Sequence, residues 1–237
     1  NASEKIDYTV RLGKNILLDD SANKNPSVFN KVSIGNDYYE WRFITDTKLD
    51  TTPPYVKSVY PANNENIAKN TVIQIDFNEA MDPTGIQGSF SSSSALQAYF
   101  VNGNNIYLAV ANSQAPVGSF DLSNGYRTLE FTSTKVCGKN ACGKDIYCLP
   151  VCDKVGATCK EDKYEMLLRA GTTINSTTFE SIPFSGFMDV TGNALDSNEN
   201  KKVDVASGDN GSFPISRKYD NYNWYFTVKD EIDATSP

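Results

Sequence analysis

Two stretches near the ends of this chain carry the same pattern at a fixed distance, and that distance sets the size of its folding unit. Residues 37–54 read DYYEWRFITDTKLDTTPP, and residues 220–237 read DNYNWYFTVKDEIDATSP. In one register Asp37 lies over Asp220, Tyr39 over Tyr222, Trp41 over Trp224, Phe43 over Phe226 and Asp50 over Asp233, always 183 residues apart. Solenoid and propeller repeats are far shorter, roughly 20–50 residues, so the unit is domain-sized. The spacing predicts tandem modules. Residues 1–50 are expected to be the C-terminal part of a preceding module, 51–230 a complete module, and 231–237 a linker to a following one.

The segments inside the complete module read as strands. Short β-branched or alternating runs bounded by Gly, Pro, Asn and Asp occur at residues 55–60, 71–77, 98–101, 106–110, 127–133, 164–169 and 224–228. In TVIQIDF, residues Val72, Ile73, Ile75 and Phe77 alternate imperfectly with polar neighbours, as in a strand with one face on a second sheet. PANNEN, SSSS and NGNN are turn-forming compositions. Only 79–86 and 172–179 could hold a helical turn. The class expected is all-β, an immunoglobulin-like β-sandwich with a long disulfide-pinned loop insertion.

Specific residues carry a family resemblance. PPYVKSVYPANNENIAKNTVIQIDFNEAMDP (53–83), DVTGNALD (189–196) and NWYFTV (223–228) resemble bacterial Ig-like domains of the S-layer protein type. In that family a Pro-Pro opening leads to a "PANG" turn, an "ITVTFSEPMDP" strand, a "D-x-x-GN-x-L" loop and a closing "W-F-T" strand. The resemblance covers about 54–229, and residues 8–45 resemble only the last strands of another copy. It implies a surface or secreted multidomain protein. This module is longer than the family's usual hundred or so residues, and the excess falls mainly in 135–163 and 197–219.

Composition removes several functions. With 22 Lys and Arg against 29 Asp and Glu, the net charge of -7 and pI near 4.7 disfavour nucleic acid or an anionic membrane as partner. No apolar run reaches the eighteen or so residues of a membrane-spanning helix, so no membrane span is expected. The chain has no histidine, which removes catalytic triads, imidazole acid/base chemistry and His-ligated zinc.

Cys137, Cys142, Cys148, Cys152 and Cys159 crowd into a polar insertion. Their spacing fits the paired thiolates of a zinc site poorly, so disulfides pinning a loop are the expected arrangement. Five is odd, so one thiol is left over. Which cysteines pair is open at this level.

DVTGNALDSNENKKVD supplies the candidate metal ligands Asp189, Asn193, Asp196, Asn198, Asn200 and Asp204. Calcium takes six to eight oxygens at flexible distances, and Asp196, Asn198, Asn200 and Asp204 copy the first half of an EF-hand loop. Lys201 stands where that loop needs its sharp-turn Gly, and Ser207 where it needs a bidentate Glu. A looser calcium loop, completed by Asp209 or Asp220, is one reading; turn residues capping strand ends is the other. LDDSANKN (18–25) keeps similar oxygens in the partial copy.

The remaining candidates have structural explanations. Glu79 with Asp82, and Asp230 with Glu231, are sequence neighbours rather than carboxylates facing across a cleft, as glycosidase chemistry requires. Met81 is expected in the core, Pro83 at the bend, and Asp230 and Glu231 in solvent. Tyr39, Trp41, Tyr222 and Trp224 suit core packing better than a sugar platform. NST at 175 and NGS at 210 are formal glycosylation acceptors. The expected function is a non-catalytic structural module of a bacterial extracellular protein, an S-layer, fibre or adhesin stalk. Its partners would be neighbouring modules or subunits, met by strand complementation, and its cofactor calcium. The alternative is an adhesin module that binds glycan or protein through its loops at 84–126 or 137–159.

Overall fold

The computed structural model describes residues 6–13, 38–45, 49–86, 88–89, 91–93, 98–100, 105–114, 116–153, 156, 159–171, 186–201 and 220–233. The chain forms two units, residues 1–50 and 51–237.

The first unit holds an antiparallel ribbon of β1 (Ile6–Gly13) and β2 (Tyr38–Thr45), paired in unbroken register from Ile6 opposite Thr45 to Gly13 opposite Tyr38. The alternation places Tyr8, Val10, Trp41 and Phe43 on one face, with Tyr8 and Phe43 stacked at 5.2 Å. The other face carries Arg11, Glu40 and Arg42, joined by ion pairs of 2.6 and 3.3 Å. Glu40 feels first the hydrogen bond from Arg11, and its pKa lies below the usual carboxylate value.

In the second unit β3 (Val56–Tyr60), β5 (Ile73–Phe77), β6 (Gly88–Ser89), β10 (Gly118–Ser123) and β11 (Thr128–Ser133) make a five-stranded sheet, ordered β3-β5-β11-β10-β6. A second, six-stranded sheet runs β4-β15-β14-β9-β8-β7. It is built from β4 (Asn66–Ala68), β7 (Ser91–Ser93), β8 (Ala98–Phe100), β9 (Ile106–Val110), β14 (Glu161–Leu168) and β15 (Tyr222–Lys229). A separate ribbon joins β12 (Val136–Lys139) to β13 (Asp145–Tyr147). Antiparallel neighbours dominate, and β4 joins β15 in parallel at the sheet edge. This is the two-sheet arrangement of an immunoglobulin-like sandwich.

Strand periodicity builds the interior. Ile73, Ile75 and Phe77 of β5 all point inward, as do Leu129 and Phe131 of β11 and Phe120 of β10. They meet Tyr164, Met166 and Leu168 of β14 and Trp224, Phe226 and Val228 of β15. Each such side chain contributes on the order of 1.5–3 kcal/mol by leaving water. Aromatic pairs lock each sheet from within: Phe120 against Phe131 at 4.9 Å, and Tyr164 stacked on Phe226 at 5.3 Å. The polar ends of the large rings are satisfied, since Trp224 Nε1 donates to Pro61 O at 3.1 Å and Tyr164 OH donates to Pro150 O.

All seven predicted runs contain strands. The sequence reading missed β10, whose GSFDLS begins with small polar residues. Gly118 is required there, because a Cβ would meet Thr132 O at 2.2 Å. It also missed β4, β6 and β7, too short for periodicity to show, and the β12–β13 ribbon. The predicted helical turn at 79–86 is a single 3-10 turn, Pro83–Gly85, capped by Asp82 Oδ1 accepting from Thr84 N at 2.9 Å. Met81 is fully buried, as expected. The turn proposed at 172–179 lies outside the described residues.

The two tryptophans part company. Trp224 is 1 % exposed and Trp41 38 %. Among the described residues of the first unit the ribbon stands without a second sheet, so none there covers the ring. Replacing Trp224→Ala should lower the unfolding free energy by about 3–5 kcal/mol in a urea titration, since it empties the largest buried volume of the sandwich.

Candidate functional site

The cysteine-rich insertion grows from the end of β11. Cys137 pairs with Cys148, and Cys152 with Cys159, closing loops of sequence separation 11 and 7. Cys142, one of the five disulfide candidates, is the leftover thiol and lies exposed. Cys152, Cys159 and Asp162 converge as a metal site would. Both sulfurs are spent on one another, however, and Asp162 accepts from Asn112 N at 2.8 Å, Ser113 Oγ at 2.6 Å and Cys152 N at 3.3 Å. The zinc reading fails on that count.

The insertion is not pinned by disulfides alone. Leu149 enters the main core, Leu149 N donates to Lys69 O at 2.7 Å, and Ser133 Oγ donates to Cys148 O at 2.7 Å. An open polar depression beside it is lined by Gln114, Val117, Thr134, Lys135, Pro150 and Asp153. Burial alone would raise the Asp153 pKa, but hydrogen bonds from Lys135 and the Gln114 amide outweigh it and hold the carboxyl below its usual range. An acid already paired with its neighbouring base is poorly suited to proton transfer.

The late loop separates the predicted oxygen ligands into two sets. Asp189 Oδ1 accepts from Thr191 N at 2.8 Å and Asn193 N at 2.8 Å, while Oδ2 accepts from Asn193 Nδ2 at 2.7 Å and Thr191 Oγ1 at 2.9 Å. Asp189 and Asn193 thus serve as the internal frame of a turn, held by hydrogen bonds among the loop's own groups. A bridge from Asp189 to Met81 and the bond from Asp196 N to Pro54 O at 2.8 Å fasten this loop to the start of the module.

Asp196 behaves differently. It is 2 % exposed, and Oδ2 accepts from Lys201 N at 2.9 Å, while the buried Oδ1 meets no donor among the described residues. Asp220, 4 % exposed, accepts from Asn198 Nδ2 at 3.3 Å, and Asn198 Oδ1 accepts from Asn200 N at 2.9 Å. Nineteen residues separate Asp220 from Asn200 in the sequence, and the approach to β15 brings it beside Asn198. Asn200 is exposed. Asp204, Asp209, residues 18–25 and both glycosylation motifs lie outside the described residues.

The other carboxylates are structural. Asp82 caps its turn, and Glu79 accepts from Asn78 Nδ2 at 3.0 Å. Asp230 is exposed, as expected, and pairs with Lys69 at 2.8 Å. On the outer face of the second sheet, Glu165 accepts from Asn223 Nδ2 at 2.7 Å and Tyr225 OH at 2.8 Å. Burial, followed by the charge of Glu165, raises the Tyr107 hydroxyl to about 12, so it stays protonated.

Comparison with known proteins agrees with this architecture. Residues 50–137 match the family described as the bacterial Ig-like domain. Domains of that family are generally non-catalytic and typical of bacterial cell-surface proteins. The matched segment runs from before β3 to the start of β12, and the structure closes the sandwich with β14 and β15, well beyond it. No curated protein and no solved structure matches the chain. No helix among the described residues is long and apolar enough to cross a membrane.

Thiol titration of the native protein should find one reactive group per chain, Cys142. Replacing both Cys137→Ser and Cys148→Ser should cost about 2–3 kcal/mol of stability, as expected for removing a cross-link over so short a loop.

Proposed function

We propose that residues 51–230 form a load-bearing module of an extracellular bacterial protein, a segment of an S-layer, fibre or adhesin stalk, flanked by further modules. The observation that carries this reading is the clamp at the chain's exit. β15 runs parallel to β4, with Thr227, Val228 and Lys229 opposite Asn66, Ile67 and Ala68. Beyond the strand, Lys69 N donates to Glu231 O at 2.9 Å and Lys69 Nζ pairs with Asp230. Asn70 Nδ2 donates to Asp233 O and Asp233 N to Asn70 Oδ1, both at 2.8 Å. Tension applied between the two ends of the module loads these bonds together in shear rather than one at a time. Single-molecule pulling on the chain should show one cooperative rupture of this module, at lower force in Asn70→Ala; gradual extension at low force would contradict the load-bearing role.

Calcium is proposed at the junction between the late loop and β15, held by Asp196 and Asp220 with Asn198. The buried Asp196 Oδ1, which meets no donor among the described residues, supports it, because a carboxylate oxygen left without a partner away from water is costly. A bound cation there would tie residues 196–201 to the beginning of the last strand and stiffen both. Calcium should raise the melting temperature and chelator lower it; Asp196→Asn should abolish that response, whereas Asp189→Asn should destabilise the protein and leave the response intact. An unfolding curve unmoved by chelator would refute the metal.

The adhesin reading draws on one observation. Val136 and Tyr147 stand opposite one another on the β12–β13 ribbon, about half exposed, and give that ribbon an apolar contact surface.

A further inference from the structure

The β1–β2 ribbon and the β14–β15 pair are built on the same register. In the ribbon Tyr8 stands opposite Phe43 and Val10 opposite Trp41; in the module Tyr164 stands opposite Phe226 and Met166 opposite Trp224. The sequence echo aligned β2 with β15 only. The pairing now aligns β1 with β14 as well, so that Ile6, Tyr8, Val10 and Leu12 take the places of Asp162, Tyr164, Met166 and Leu168.

Of the eight alternate positions in this register, five hold the same residue in both pairs: Tyr, Leu, Tyr, Trp and Phe. The ring geometry repeats too, with Tyr8 and Phe43 stacked at 5.2 Å and 14°, and Tyr164 and Phe226 at 5.3 Å and 17°. The opposite faces differ: Glu40, which accepts from Arg11 and Arg42, aligns with Asn223, and Arg11 aligns with the buried Leu167, while Glu165 accepts from Asn223 and Tyr225.

In the module, this face is covered by Ile73, Ile75, Phe120, Leu129 and Phe131 of the opposing sheet. In the ribbon Tyr8 is 44 % and Phe43 45 % exposed. We propose that the β1–β2 ribbon is the closing strand pair of another sandwich, and that its aromatic face receives the inner face of an Ig-like sheet of the β3-β5-β11-β10 kind. This rests on reading residues 51–230 as one module of a tandem array. The occupant is apolar and built of strands, and it also supplies neighbours for the ribbon's two edges, as β9 does for β14 and β4 for β15.

The test joins a second copy of residues 51–160 ahead of residue 1 of the full chain, which offers the ribbon that sheet in cis. Hydrogen exchange read by mass spectrometry reports the β1 and β2 amides. They should exchange rapidly in the unfused chain and at least ~100-fold more slowly in the fusion, as strands of a cooperative core do. Equal rates in both would overturn the proposal, and if residues 51–230 still unfold cooperatively, the module reading survives without it. Protection already present in an unfused chain of dimer mass would overturn it too, by making a second copy the occupant.

Should the added strands fail to fold, a second variant decides. Met166→Val with Val228→Thr gives the module's own closing pair the ribbon's residues at those inner positions. Cooperative unfolding with a melting temperature lowered by less than about 10 °C supports the proposal. Loss of cooperative unfolding shows that the ribbon's residues do not fit such a sheet.

Discussion

The sandwich depends on one burial: Tyr164, Trp224 and Phe226, three large rings on two adjacent strands, held under a facing sheet of Ile, Leu and Phe. Rings of this size supply most of the apolar area removed from water, and they do so only when both sheets are present. Two of these rings, Trp224 and Tyr164, also carry a condition. The indole N–H and the phenol must find acceptors inside, and the carbonyls of Pro61 and Pro150 provide them. The first acceptor comes from the turn after β3 and the second from the cysteine-rich insertion. Closing the core therefore requires both of these connections to be in place.

That requirement explains why the insertions behave as parts of the module. A buried Asp162 gathers donors from the turn after β9 and from the Cys152 loop, so β14 organises two connections through one carboxylate. Asp189 and Asn193 do the same for the late loop by satisfying one another. Buried polar groups fixed in this way cost little, whereas the same groups left open would oppose folding. Asp196 stands outside this pattern, and its uncompensated oxygen is what separates a ligand candidate from a turn former.

The described ribbon of the first unit carries the aromatic face of the module's closing strand pair, with Tyr8 and Phe43 about half exposed. A sheet face patterned for burial specifies its partner by chemistry, since an apolar strand-built surface is the complement of another.

Much of this was legible in the amino-acid order. The alternation in IQIDF and the turn clusters were enough for the all-β class, because strand periodicity is a local property of the chain. The need for disulfides followed from five cysteines in a segment too polar to fold alone. The pairing did not, because it depends on which backbones β12 and β13 bring together. The late loop shows the same division. Its oxygen-rich composition was evident from Asp189 to Asp204, but Asp189 and Asp196 look alike in sequence. Only the fold surrounds one with donors, leaves one oxygen of the other without a donor among the described residues, and carries Asp220 in from the far side of a long insertion. Likewise two near-identical tryptophans were indistinguishable by pattern. Only the fold shows that an opposing sheet, a long-range fact, buries Trp224, whereas Trp41 on the described ribbon is 38 % exposed.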